Sequence, residues 1–157
     1  HVTVLDIVES RQDLKITAPI GTTIPLFAGA VGKVFLASME EEQTEEIIRS
    51  KGLTRFTENT TVDPELYYQE LRSVRKKGYA VDDEEYILGV RAVASPIMGL
   101  GQLMSAIWVV GFKASLDEKK MKAIIKATKK AAEAIRRGIQ EQTVNLAENR
   151  VREIKWK

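Results

Sequence analysis

Two apolar segments, 90–97 and 103–112, stand on either side of the short sequence "MGLGQ". Both segments contain β-branched residues at a density typical of strands. The glycines between them suit the positive φ angles that a tight hairpin turn requires. The sequence therefore predicts a β-hairpin here, and with it an antiparallel sheet.

The segment 63–78 carries the clearest helical signals. Asp63 is a natural N-cap, Pro64 fits the first helical position, and Gly78 stands where a C-terminal glycine belongs. Three apolar residues at helical spacing are predicted to form its buried face: Leu66, Leu71 and Val74.

The remaining elements are predicted from the periodicity of apolar residues and from residues that start or end helices and strands. We expect strands at 2–8 and 14–18, a helix at about 28–38, a second helix that starts near 40–42 and ends at Gly52, and a strand from Tyr79. Ser115 and Glu118 resemble a capping box at the start of a long final helix, which Gly138 either ends or bends. This order predicts an α+β fold, with an antiparallel sheet and helices packed on its faces.

Composition narrows the possible functions. The chain has 157 residues, a net charge of +2, no cysteine, and a single histidine at position 1. Length predicts one domain over 1–157, and no apolar run approaches the ~20 residues of a membrane span. Thiol chemistry is excluded, and no metal-ligand cluster or cofactor motif is found. The chain opens in a strand-like pattern without methionine, so we expect a fragment of a longer protein.

The sequence "GAVGKV" at 29–34 is similar to a phosphate-binding loop but fails its requirements. The motif needs a glycine at position 27 and Ser or Thr at position 34, where Phe27 and Val34 stand. An ordinary helix start explains it better. Small residues at a helix N-terminus still leave backbone N–H groups free to face an anion.

Four consecutive acids, residues 82–85, follow the apolar Ala80 and Val81. In an extended strand Asp82 and Glu84 would share one face, and Asp83 and Glu85 the other. Most of this run is expected to be solvated, with Asp82 the favoured inward member and Arg91 neutralising one of the others. A small enzyme that uses Asp82 or Glu84 as a base is an alternative, although no histidine, cysteine or nucleophile motif supports it.

Several of these motifs occur together in a known family. The sequences "PLFAGAVGKVFLA", "RKKGYAVDDEE" and "GVRAVASPI", in this order, resemble the effector-binding domain of the IclR family of bacterial transcriptional regulators. The resemblance implies a GAF-like (profilin-like) fold, with a curved antiparallel sheet flanked by helices, and no enzymatic activity. It also implies an N-terminal winged helix-turn-helix domain, through which alone DNA would be bound, assembly as a homodimer or homotetramer, and a cytoplasmic location without membrane contact. The segment 139–157 is a helical extension that the resemblance does not cover. A GAF-like sensor domain from another signalling protein is the alternative.

The resemblance also implies a pocket for a small effector, often a carboxylate or an aromatic acid. Asp82 would be its inward acid, and Ala30 and Val31 would supply backbone N–H groups. Ala92 replaces a residue that is often cysteine in the family, while Trp108 and Val110 replace two small polar residues. These replacements favour an aromatic or apolar effector, or a pocket that Trp108 fills. The apolar wall would be completed by Ile16, Ile24 and Val90.

Overall fold

The computed structural model describes residues 1–98 and 104–154, and within 143–154 only the backbone. Strands β3 (Ala80–Asp83), β4 (Val90–Ile97) and β5 (Ser105–Phe112) form an antiparallel sheet in the order β3-β4-β5. A separate antiparallel ladder joins β1 (Val2–Thr3) to β2 (Thr23–Ile24). The helices are α1 (Gly29–Ala37), α2 (Glu41–Lys51), α3 (Pro64–Lys77) and α4 (Glu118–Ile154), with a 3-10 turn at Lys113–Ser115. The α+β prediction is confirmed.

The three-stranded sheet carries a helix on each face. Alternate residues of β4 face opposite sides, and Ala92 and Ala94 belong to the buried cluster that contains α1. The other side of β4 includes Arg91, which donates to the carbonyl of Leu116 at 2.8 Å, just before α4. The α1 face holds the main core, so a site at the start of α1 lies against buried strand residues.

Helix α3 forms as its end signals predict. The Asp63 carboxylate accepts the N–H of Leu66 at 3.0 Å, and Gly78 adopts a left-handed conformation with φ 74°. The prediction that Leu66 is buried is wrong, because it is 54% exposed. Tyr67 is buried in its place, and its ring packs edge-on against Phe27.

The N-terminal strand predictions are largely wrong. Strand β1 covers only Val2–Thr3, and residues 14–18 form no strand. The chain turns back at Gly21, whose N–H donates to the carbonyl of Val4 at 2.9 Å. That turn pairs residues 2–3 with 23–24, so 14–18 has no strand partner, and Leu14 remains exposed.

Helix α4 begins with a different cap from the predicted one. Ser115 lies in the 3-10 turn, and the side chain of Asp117 accepts the N–H of Lys120 at 2.8 Å. Gly138 does not end the helix, which continues to Ile154. Strands β4 and β5 occur where the hairpin was predicted, while its turn at 99–102 lies outside the described residues. In the described part of the chain, no helix has the length and apolar character to cross a bilayer.

Candidate ligand-binding site

The first turn of α1 presents backbone N–H groups inside the protein. Ala30 and Val31 are buried, and an α-helix offers no acceptor for the N–H groups of its first turn. Within the described residues, no hydrogen bond from either N–H is found. The start of α1 can therefore hold an acceptor group of a ligand.

The glycines of "GAVGKV" are required by close contacts, which sequence reasoning did not foresee. Gly29 has φ 48°, and a Cβ atom there would lie 1.9 Å from Oδ2 of Asp82. A Cβ atom on Gly32 would lie 1.9 Å from the carbonyl oxygen of Leu26. The first contact brings the Asp82 carboxylate directly against the start of α1.

Asp82 is the inward acid of the run, as the sequence predicted. It is 3% exposed, and its Oδ1 accepts the N–H of Glu85 at 2.7 Å. Burial raises the pKa of the Asp82 carboxyl, although bonds from the backbone of Glu85 and Tyr86 and the charge of Lys33 oppose this effect. One oxygen thus holds the loop after β3, while the other faces α1.

Glu85 is a second inward acid, which alternation along a strand did not predict. The strand ends at Asp83, and Glu84 has a φ of 65°, so the chain turns and Glu85 points inward. Its carboxylate pairs with Lys33 at 2.5 Å, and Lys33 also lies 2.6 Å from Glu70 of α3. Lys33 is 4% exposed. Burial opposes its charge, but the two carboxylates outweigh burial and raise its pKa.

The other two acids of the run form an outer ion network. Asp83 accepts two hydrogen bonds from Arg91, at 2.8 and 2.9 Å, which confirms the predicted role of Arg91. Glu84 pairs with Lys113 and accepts the N–H of Gly89 at 2.8 Å. Asp82 and Glu84 therefore do not converge on one site, and the shared face expected of them is wrong.

The sheet places most of the predicted site residues on its α1 face. Asp82 lies opposite Ala92, which lies opposite Val110, and Trp108 lies opposite Ala94 in the next row. Val90 is on the same face of β4 and is buried. Ile24 belongs to the same buried cluster as Ala30 and Val31, while Ile16 is half-buried outside any strand.

Trp108 is half-buried, and its ring packs against the cluster that contains α1. Its Nε1 atom is buried and has no hydrogen-bond partner among the described residues. The hydroxyl of Tyr67 is also buried without a partner there. Burial, followed by the charges of Glu85 and Glu70, raises the pKa of this hydroxyl, so it stays a donor.

A cavity of about 360 Å³ lies on the opposite, α4 side of the sheet. It is lined by Ser95 and Pro96 of β4 and by Lys129, Glu133 and Arg136 of α4, among others. None of the predicted site residues lines it. Within ranges 1–98 and 104–154, no group of three or more His, Cys, Asp or Glu side chains could hold a metal ion.

Comparison with known proteins gives a family whose fold is the one described above. An antiparallel sheet with a helix on each face is the α+β architecture of a GAF-like domain. The family model "Bacterial transcriptional regulator IclR C-terminal" matches residues 1–137. The chain therefore belongs to the IclR family, and the predicted resemblance and GAF-like fold are confirmed.

Curated relatives of the chain are transcriptional repressors. It is 42% identical over 94 residues to the acetate operon repressor of Salmonella typhimurium, covering 60% of this chain and 34% of that protein. It is 35% identical over 111 residues to the HTH-type transcriptional repressor AllR of Escherichia coli K12, covering 70% and 41%. The chain thus spans between a third and a half of the length of these relatives.

Solved structures of transcriptional regulators are also similar to this chain. The IclR of Thermotoga maritima matches with a TM-score of 0.76 and 31% identity, over 85% of this chain and 54% of that one. The inducer-binding domain of the PobR transcription factor from Acinetobacter, a double mutant in complex with 3-hydroxybenzoic acid, matches with a TM-score of 0.72 and 26% identity. That match covers 85% of each chain.

Proposed function

We propose that this chain is the effector-binding domain of a bacterial IclR-type transcriptional regulator, and that a small carboxylate or aromatic effector binds at the start of α1. One observation carries the proposal. The N–H groups of Ala30 and Val31, which have no hydrogen-bond partner among the described residues, follow Gly29, and Gly29 lies against the buried carboxylate of Asp82. Asp82 shares its sheet face with Ala92 and Trp108. Donors and an acceptor together suit a small polar ligand, and the inducer complex of PobR supports an aromatic acid.

The whole regulator, in this proposal, acts in the cytoplasm as a homodimer or homotetramer. It binds DNA through an N-terminal winged helix-turn-helix domain, which the name of the HTH-type repressor AllR supports. Residues 1–157 form the sensing domain, with 139–157 as its C-terminal helical extension. The domain uses no cofactor or metal and catalyses no reaction.

The proposed mechanism is a shift between two arrangements of the sensing domains in the oligomer. An effector can move this equilibrium only by binding one arrangement more tightly than the other. Asp82 connects the site to its surroundings, because its Oδ1 holds the N–H of Glu85 in the loop that joins β3 to β4. A ligand that bonds to Asp82 therefore also acts on the position of this loop.

The two alternatives are less well supported. An enzyme that uses Asp82 or Glu84 as a base is disfavoured because Glu84 is engaged by Lys113 and the N–H of Gly89, and Oδ1 of Asp82 by the N–H of Glu85. A sensor domain of another signalling protein is disfavoured by the relatives, which are transcriptional repressors.

Thermal unfolding against a panel of keto acids, sugar acids and aromatic acids tests the proposal. An effector at 100 times its dissociation constant should raise the free energy of unfolding by roughly 2.7 kcal/mol. Asp82→Asn should reduce this gain, whereas Glu84→Gln, a neighbouring change in the outer network, should preserve it. Equal gains in both variants would contradict the site, and no gain with any compound would contradict binding of these effector classes.

A further inference from the structure

The loop after β3 is held from outside the sheet by the turn at residues 56–60, which lies between α2 and α3. The hydroxyl of Thr57 donates to the carbonyl of Glu84 at 2.6 Å. The hydroxyl of Thr60 donates to the carbonyl of Glu85, also at 2.6 Å. These bonds join residues that are 27 and 25 positions apart in the chain, so they depend on the tertiary fold.

Neighbouring N–H groups fix the direction of both hydroxyl bonds. The Thr60 oxygen accepts the N–H groups of Phe56 and Thr57, at 3.1 and 2.8 Å. The Thr57 oxygen accepts the N–H of Asn59 at 3.1 Å. A hydroxyl has one proton to donate, and each threonine therefore directs that proton to a carbonyl of the loop.

One peptide group connects this turn to Asp82. The N–H of Glu85 donates to Oδ1 of Asp82 at 2.7 Å. The carbonyl in the same peptide group is that of Glu84, and it accepts the Thr57 hydroxyl. Because a peptide group is planar and rigid, its N–H and its carbonyl cannot move independently. The Asp82 carboxylate and the Thr57 hydroxyl therefore lie at the two ends of one hydrogen-bonded chain.

The backbone of Glu84 needs this support. Its φ of 65° lies in the left-handed region, which a residue with a side chain seldom adopts. Such a conformation persists only where neighbouring groups hold it in place. The N–H of Glu84 donates to the carbonyl of Val90 at 2.9 Å, and Thr57 holds the carbonyl of Glu84. Loss of the Thr57 hydroxyl should therefore release the peptide group between Glu84 and Glu85.

We propose that Thr57 is a positioning residue of the effector site, whose hydroxyl keeps the N–H of Glu85 on Oδ1 of Asp82 while the other carboxylate oxygen faces α1. Coupling between two sites is reciprocal. A bond that Asp82 makes to an effector or to a proton therefore also acts on the turn between α2 and α3. This inference rests on the proposed function, since Asp82 is the acid of the proposed site.

Titration of the Asp82 carboxyl by carbon-13 NMR of the 157-residue chain tests the proposal, with the proton as the probe. Burial raises the pKa of Asp82, and N–H bonds from loop residues 85 and 86 lower it. Thr57→Val removes the hydroxyl at nearly constant shape and loosens these bonds, so it should raise the pKa of Asp82 above its wild-type value. Thr57→Ser keeps the hydroxyl and should restore the wild-type titration.

Thr44→Val is the matched control. Thr44 is 2% exposed, and its hydroxyl bonds to the carbonyls of Leu36 and Glu40, away from the loop. It should leave the pKa of Asp82 unchanged. The charged groups around Asp82 are the same in every variant: Lys33 of α1, and Asp83 and Glu85 of its own run. An unchanged pKa of Asp82 in Thr57→Val, or an equal rise in Thr44→Val, would overturn the inference.

A measurement on wild type does not depend on how well Thr57→Val folds. The amide signals of Phe56 and Thr57 in nitrogen–proton NMR spectra should shift with the same pH midpoint as the Asp82 carboxyl, and Asp82→Asn should abolish this shift. Signals that stay fixed, or that follow only the Glu85 carboxyl, would overturn the inference. Neither measurement uses an effector, so failure of the effector panel would contradict the proposed function and leave the positioning by Thr57 standing by itself.

Discussion

The four consecutive acids of this chain lie in two contrasting environments. Asp82 and Glu85 point inward, against Gly29 and Lys33 of α1. Asp83 and Glu84 pair instead with Arg91 and Lys113. The same residue types in one short run therefore make one polar cluster at α1 and a separate ion network with Arg91 and Lys113.

The two environments shift the carboxyl pKa values in opposite directions. Burial raises the pKa of Asp82 and Glu85, so the folded chain holds their protons more tightly, and their contribution to stability falls as pH rises through the raised values. Bonds from Arg91 and Lys113 lower the pKa of Asp83 and Glu84. At neutral pH the ionised Asp83 and Glu84 therefore stabilise the fold, whereas keeping Asp82 and Glu85 ionised costs free energy. Acids with raised pKa values are common at binding sites.

The largest effect is expected from Lys33→Met in the inner cluster. It removes the cation that neutralises Glu85, whose side chain is only 16% exposed. Leaving one partner of a buried ion pair typically costs about 3–5 kcal/mol, which urea unfolding at neutral pH would measure. Adding Glu85→Gln to Lys33→Met should recover much of the loss, because the carboxylate that depends most on Lys33 is then neutral as well. If Lys33→Met is as stable as wild type, water and not Lys33 stabilises the charge of Glu85.

Gly29→Ala should have the next largest effect. The new Cβ atom would lie 1.9 Å from Asp82, at a φ of 48° that side chains disfavour. Overpacking and backbone strain together should lower the free energy of unfolding by about 2–4 kcal/mol and should abolish effector binding. Gly138→Ala is the matched control, since nothing lies within 4 Å of that position in α4. It should stabilise the chain by up to about 1 kcal/mol.

The smallest effect is expected from Arg91→Ala in the outer network. Arg91 bonds to Asp83 and to the carbonyl of Leu116, so its loss should cost about 1 kcal/mol near neutral pH. Because the folded-state pKa of Asp83 is lowered, the part of this difference that comes from Asp83 should disappear as pH falls from 3.8 through that lowered value, while the part from the Leu116 carbonyl remains. Arg136→Ala, which breaks a pair with Glu133 within one helix, should cost less. If Arg91→Ala lowers the free energy of unfolding by the same amount at every pH, the loss does not come from the pair with Asp83.

Local signals predicted the helices better than the N-terminal strands. Asp63 and Gly78 set the ends of α3 because caps act on the nearest backbone groups. Strands need partners from elsewhere in the chain, and the turn at Gly21 gave residues 2–3 the partner 23–24, leaving 14–18 unpaired. Asp82 could be predicted as inward because it follows two apolar residues within the same strand.

The sequence by itself determined the α+β order, the long strands β4 and β5 and the inward position of Asp82, since periodicity and capping are local properties. Only the tertiary structure decided that Glu85 turns inward to Lys33, 52 residues away, and that Gly29 leaves room for the Asp82 carboxylate. It also decided that the indole N–H of Trp108 finds no hydrogen-bond partner among the described residues. Hydrogen bonding and exclusion of volume between distant segments depend on how the elements pack, which spacing along the chain does not encode.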